Sequence, residues 1–119
     1  MNLIKAMVDE VFGRPDRDVS DILAGHVAQP FRQRTDGVWE DRTTVVKRLE
    51  TLRESAREVR VRVISEFIDA RSYAERHVVT VITNDDTSVS KEVFVFGELD
   101  EDGRFLSIEE LSTEADARS

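Results

Sequence analysis

From Val59 to Ser112 the chain consists of four apolar, β-branched runs parted only by short turns, and this spacing limits the fold more than any other feature. The runs are Val59 to Ile68, Tyr73 to Thr83, Val89 to Leu99 and Arg104 to Ser112, with breaks at Asp69-Ala70-Arg71, Asn84-Asp85-Asp86 and Asp102-Gly103. A parallel crossover needs about a dozen residues or more, so these neighbours must form an antiparallel meander. Asp102-Gly103 carries the signature of a type I′ hairpin. Two runs are apolar on both parities: Val78 and Ile82 alternate with Val79 and Val81, and Phe94 and Phe96 with Val93 and Val95. Strand side chains alternate between faces, so both faces of the sheet must be covered.

The cover for one face lies upstream. Leu3, Ile4, Met7, Val8, Val11 and Phe12 recur at helical spacing, and Gly13 with Pro15 supplies the stop. Asp18 can cap a short second helix through Ile22 and Leu23 that ends at Gly25. His26 to Thr35 is strand-like but contains Pro30, which donates nothing to a ladder, so this strand must be an edge or be broken there. Asp36-Gly37 makes a turn, and Asp41 caps a third helix whose stripe is Val45, Val46, Leu49, Leu52 and Ala56. Three short helices cover only one sheet face. The other is expected to pack against a second copy, giving a homodimer through the sheet.

A chain of 119 residues fits one domain, expected over residues 1–114 with a polar tail at 115–119. The net charge is −8, and the arginines at 32, 34, 57, 60 and 62 are interrupted by acidic neighbours, so a nucleic-acid partner is not expected. There is no cysteine, hence no disulfide or thiolate metal site. Lys5, Asp9 and Glu10 break up the first helix, which rules it out as a membrane span or signal segment and makes a cytoplasmic location the default. His26 and His77 are isolated, and the five glycines are scattered singly. Neither a metal nor another cofactor is expected.

Three segments in order, Phe31-Arg32-Gln33-Arg34-Thr35-Asp36-Gly37, Tyr73-Ala74-Glu75-Arg76-His77 and Glu98-Leu99-Asp100-Glu101-Asp102-Gly103-Arg104-Phe105, together with the order of elements, give a resemblance covering nearly the whole chain. The chain resembles the nuclear-transport-factor-2-like superfamily, and more closely its SnoaL-like polyketide cyclase branch. That resemblance implies an α+β, cone-shaped fold, with three N-terminal helices packed on a curved antiparallel sheet, and an enclosed pocket for an apolar small molecule near one or two carboxylates. Relatives include isomerases, cyclases, epoxide-hydrolase-like enzymes and noncatalytic binders.

Carried over residue by residue, the resemblance implies a catalytic pair. Glu75-Arg76-His77-Val78 matches the Glu-Arg-x-Asp run of epoxide-hydrolase-like members, with Val78 where they carry Asp, and Glu110 matches their last-strand carboxylate. Arg76 and Glu110 are therefore expected to face one cavity, Glu110 as acid or base and Arg76 as orienter. Arg34 stands where cyclases carry a His and would bind an anionic group, since arginine stays protonated. Phe31, Trp39, Val78 and Ile108 complete the expected substrate contacts. His77 and Glu75 have the opposite strand parity and are assigned to the outer, interface-forming face with Tyr73, Val79 and Val81. The expected function is an enzyme acting on an apolar, oxygen-bearing small molecule by cyclisation, isomerisation or epoxide opening; the alternative is a noncatalytic small-molecule-binding module of the same fold.

Overall fold

A computed structural model describes residues 1–115 of the chain, so the expected polar tail lies, beyond Ala115, outside the described residues. The helices form where the apolar spacing places them: α1 (Leu3–Gly13), α2 (Val19–Ala24), whose N-cap position is Asp18 but without a capping bond from its side chain, and α3 (Arg42–Ser55). Asp41 caps α3 by accepting from the Thr44 N–H at 2.8 Å. The strands are β1 (Val27–Thr35), β2 (Val38–Asp41), β3 (Ala56–Asp69), β4 (Ser72–Thr83), β5 (Ser88–Leu99) and β6 (Phe105–Glu114), in the sheet order β2-β1-β6-β5-β4-β3. Among the described residues no helix is long and apolar enough to cross a membrane.

This is an α+β fold with a six-stranded curved sheet, and it departs from the expected architecture in three ways. A short strand that was not expected, β2, stands between the expected β1 and α3. β1 runs parallel to β6, so the sheet is mixed rather than antiparallel. The type I′ geometry belongs to Asp36-Gly37, where both φ angles are positive at 48° and 91°, and it joins β1 to β2. At the Asp102-Gly103 turn only Gly103 has positive φ, at 82°. There the Gly103 N–H donates to the Asp100 carbonyl, and Asp100 Oδ1 accepts from the N–H groups of Asp102 and Arg104.

Pro30 does not make β1 an edge strand. The ladder with β6 shifts register between Val27 and Arg32, and pairing with β2 begins only at Arg32, so Pro30 occupies the stretch where no N–H is required.

The helices cover one face of the sheet, and the core forms between them. Ile4 and Val11 of α1 and Ile22 and Leu23 of α2 meet Val27, Phe31, Tyr73, Val95, Phe105 and Ile108 from the strands. Tyr73 and Phe105 pack edge to face at 5.0 Å between ring centroids. Each fully buried aliphatic side chain contributes about 1.5–3 kcal/mol. A bulge between Val63 and Ser65 then turns Glu66 inward on β3, opposite Glu75. The Glu66 carboxylate accepts from the N–H groups of Asn2 and Leu3, both at 2.8 Å, and from the Tyr73 hydroxyl at 2.6 Å. That tie fixes the start of α1 over the inner face.

Candidate functional site

Register decides which side chains share the space under the helices. On the inner face one cross-strand row runs Glu75, Val95, Glu110 and Thr35; the next runs His77, Val93 and Ser112. Strands lie about 4.8 Å apart, so β4 and β6 are about 10 Å apart across β5. The small inward residue Val93 leaves a cavity of about 360 Å³ between the β4 and β6 side chains. Ile4, Met7, Val8, Val11 and Phe12 of α1 face Val59, Val61, Val79 and Val81 on its apolar side. Its polar side is made by Gln33, Thr35, Asp36, Arg48, Lys91, Glu110 and Ser112, with His77 on the floor.

Glu75 and His77 are both 4 % exposed. They stand two residues apart on one strand and hence on one face, and the Glu75 Oε1 to His77 Nδ1 distance is 2.6 Å. A carboxylate at Nδ1 selects the tautomer with the proton on Nδ1, which leaves the lone pair on Nε2 of a ring that lines the cavity. Glu75 Oε2 is buried with no hydrogen-bond partner among the described residues.

Glu110 is held from β1 and raised by its surroundings. Gln33 Nε2 donates to Glu110 Oε1 at 3.0 Å. Removal from bulk water pushes the Glu110 carboxyl above the ordinary carboxylate range, against a lesser opposing pull from His77 when both its ring nitrogens carry protons and from the Arg48 guanidinium. Arg48 is itself paired to Glu40, at 3.0 Å. Asp36 accepts from both the N–H and the hydroxyl of Ser112 at 2.8 Å, which holds its carboxyl below the usual range and ties the turn to β6. Among the described residues no group of three or more His, Cys, Asp or Glu side chains converges as a metal site would.

The structure places Glu110, Phe31 and Ile108 on the cavity and the other expected site residues elsewhere. Arg76 lies on the outer face, bonded to Glu92 at 3.1 Å and lying over the Phe94 ring, so it does not meet Glu110. Its cross-strand partners are Phe94 and then Leu111, whereas Glu110 shares a row with Glu75. Val78 shares the outer parity of Arg76 and is buried there, in register with Arg62 and Glu92. Arg34 reaches Glu109 at 4.0 Å outside the cavity, and Trp39 is half-exposed with the Arg32 guanidinium over its ring.

The parity of β4 is thus the reverse of the expectation. Tyr73, Glu75, His77, Val79 and Val81 face inward. The physical reason is the burial of Tyr73 against Phe105, together with the freedom of the Arg76 head to reach water only on the open face. The inward Glu75–His77 pair was visible in sequence as Glu-x-His on a strand. Gln33, Arg48, Lys91 and Ser112 carried no such signal.

No family model matches this chain, and no curated protein matches it. Solved structures do. A candidate SnoaL-like polyketide cyclase from Jannaschia sp. CCS1 superposes with a TM-score of 0.67 at 12% identity, covering 90% of this chain and 83% of that one. A protein with a ketosteroid isomerase-like fold from Catenulispora acidiphila, in complex with trimethylamine, gives 0.71 at 10% identity, covering 92% and 83%. An epoxide hydrolase of the LEH-like type from M. tuberculosis gives 0.69 at 12% identity, covering 93% and 83%. The chain therefore has the cone fold of the nuclear-transport-factor-2-like and SnoaL-like proteins. At these identities the likeness fixes the fold, and the chemistry must come from the site.

Proposed function

We propose that this chain, as one domain over residues 1–114, is an enzyme that moves a proton on an apolar, carbonyl-bearing small molecule. The observation that carries this reading is a buried Glu75–His77 pair opening onto an apolar cavity that also holds a carboxyl of raised pKa, Glu110. His77 Nε2 takes a proton from the carbon beside the carbonyl, and the released electron pair forms the enol double bond. The protonated Glu110 gives its hydrogen bond to the oxygen on which charge develops. Return of the proton from His77 to a different carbon completes an isomerisation. Alternatively, attack of the enol carbon on a second carbonyl of the same molecule forms a ring, the π pair of that carbonyl moves to its oxygen, and the oxygen takes the proton back from His77.

Glu75 holds the imidazole in its tautomer and stabilises the imidazolium that forms. A buried carboxylate oxygen without a partner costs about 1–3 kcal/mol or more, a cost that packing alone gives no reason to retain. The apolar α1 side of the cavity accepts the body of the ligand and the β1–β6 side its oxygen. Epoxide opening finds less support, because Arg76 stands on the other face of the sheet from Glu110. The fold shared with a candidate polyketide cyclase, and the small molecule held by the Catenulispora protein, support a small-molecule enzyme.

The test is conversion of a panel of bicyclic β,γ-unsaturated ketones to their conjugated isomers, followed by ultraviolet absorbance. Turnover of at least one member is expected, falling about 100-fold or more in His77→Gln and in Glu110→Gln. A ketone that fills the cavity without isomerising would make the chain a noncatalytic binder, and variants that keep the full rate would remove His77 and Glu110 from the mechanism.

The outer sheet face supports the proposal of a homodimer. Phe67, Phe94, Phe96 and Leu111 are exposed there, at 68%, 41%, 67% and 63%, on neighbouring strands and one parity. A contiguous patch of this kind is costly to leave in water. Sedimentation at micromolar concentration should give twice the monomer mass, and Phe96→Arg should return it to one.

A further inference from the structure

Glu110 can act as an acid only if its proton sits on the oxygen that faces the ligand, and an isolated carboxyl group does not choose between its two oxygens. Here the choice is imposed from β1. The parallel pairing of β1 with β6 sets Gln33 beside Ile108 and Thr35 beside Glu110, so the Gln33 amide, 7% exposed, lies against the Glu110 carboxyl. Gln33 Nε2 makes two bonds, to Thr35 Oγ1 at 3.1 Å and to Glu110 Oε1 at 3.0 Å. Both amide hydrogens are therefore used, and both point to oxygen.

We propose that Gln33 is a positioning residue for Glu110: by donating to Oε1 it makes that oxygen the acceptor, keeps the proton on Oε2, and turns the acidic O–H to the cavity. This rests on the reading of Glu110 as the acid. Thr35 takes part by accepting the other amide hydrogen, which orients the amide so that nitrogen rather than oxygen meets the carboxyl. A neutral donor suits the task better than an arginine or lysine. A cation at 3 Å would strip the proton from the group it is meant to position, whereas an amide orients the carboxyl with a smaller preference for the ionised form.

Other charges also face Glu110. They are His77 with Glu75 from β4, Arg48 from α3 and Asp36 from the β1–β2 turn, while Lys91 lines the same cavity from β5. None of these makes a hydrogen bond to Glu110, so Gln33 is its one direct side-chain partner among the described residues.

The experiment follows the Glu110 side-chain carboxyl by carbon-13 NMR through a pH titration in the wild type, Gln33→Met and Thr35→Val. Methionine keeps the length and removes the donor; valine keeps the shape and removes the oxygen that orients it. Because a hydrogen bond from N–H favours the ionised carboxylate, its loss should raise the Glu110 midpoint by about one pH unit in Gln33→Met, and by less in Thr35→Val. In the isomerisation assay kcat should fall about tenfold with KM within about threefold, since the oriented O–H matters most in the transition state. A midpoint unmoved in both variants would overturn the proposal, even if the wild type turns over ketones and Glu110→Gln does not. A midpoint that moves in a wild type unable to catalyse would leave Gln33 as the partner that orients Glu110 and remove only the catalytic reading.

Discussion

The tie between Glu66 and the start of α1 can be tested by Glu66→Ala. The carboxylate accepts from the N–H groups of Asn2 and Leu3 and from Tyr73, whose side chain is fully buried. Truncation strands the Tyr73 hydroxyl, at about 1–3 kcal/mol. The two N–H groups lie near the surface and can turn to water, so their loss resembles that of a helix cap, about 1 kcal/mol. Together the cost is about 3 kcal/mol, which for a domain of this size lowers Tm by about 10 °C. Glu66→Gln keeps one acceptor oxygen and should lose about half as much.

Burial pushes the Glu66 carboxyl up, but the Tyr73 hydroxyl and the two backbone N–H groups outweigh it and hold the group below its ordinary value. With the folded pKa depressed, its stabilisation is present above the unfolded pKa and is lost as pH falls through the folded one. The Tm gap between wild type and Glu66→Gln should therefore be full at pH 7 and close on acidification. Thermal unfolding by circular dichroism measures both. A Tm within about 2 °C of wild type for Glu66→Ala at pH 7 would refute the assignment, as would a gap that does not depend on pH.

Glu110 has the opposite sign: its folded pKa is raised, so the carboxyl's contribution is present below the unfolded value and is lost as pH rises through the folded one. Glu110→Gln should match the wild-type Tm in acid and exceed it in mild alkali. Arg76→Ala, on the outer face, should leave turnover within about twofold while Glu110→Gln removes it, as read in the same isomerisation assay. Ala70 adopts a φ of 56° in the β3–β4 turn, a region disfavoured by about 1–2 kcal/mol for a residue with a Cβ, so Ala70→Gly should raise Tm by a few degrees.

Much of this fold is written locally. The Asp41 cap, the Gly13 and Gly25 stops and the strand runs from Val59 onward need only neighbours to act, and they appear where spacing puts them. On β6, alternation put Ile108 and Glu110 on one face, the resemblance implied that this face is the inner one, and both line the cavity. Pairing between distant segments was not. The parallel contact of β1 with β6 joins residues about 75 positions apart, and β2 is too short to announce itself.

The misplaced half of the site has the same origin. β4 is apolar on both parities, with Val79 and Val81 against Val78 and Ile82, so alternation alone cannot say which face is inner. The aromatic contact of Tyr73 with Phe105 settles it. That contact turns Glu75 and His77 into the cavity and Arg76 out of it. Gln33 was hidden for a different reason: a single amide on a strand has no pattern, and its meaning appears only when β1 lies beside β6.

The central claim is that His77 removes a proton from carbon while Glu110 holds the adjoining oxygen, and deuterium exchange measures that step without requiring a completed reaction. Bicyclic ketones incubated with the protein in heavy water are followed by proton NMR at the carbon beside the carbonyl. The account predicts exchange well above the uncatalysed rate in the wild type, a loss of about 100-fold or more in His77→Gln and in Glu110→Gln, and near wild-type exchange in Arg76→Ala. Exchange that survives in His77→Gln, or ketones that bind in the cavity and keep their protons, would contradict it.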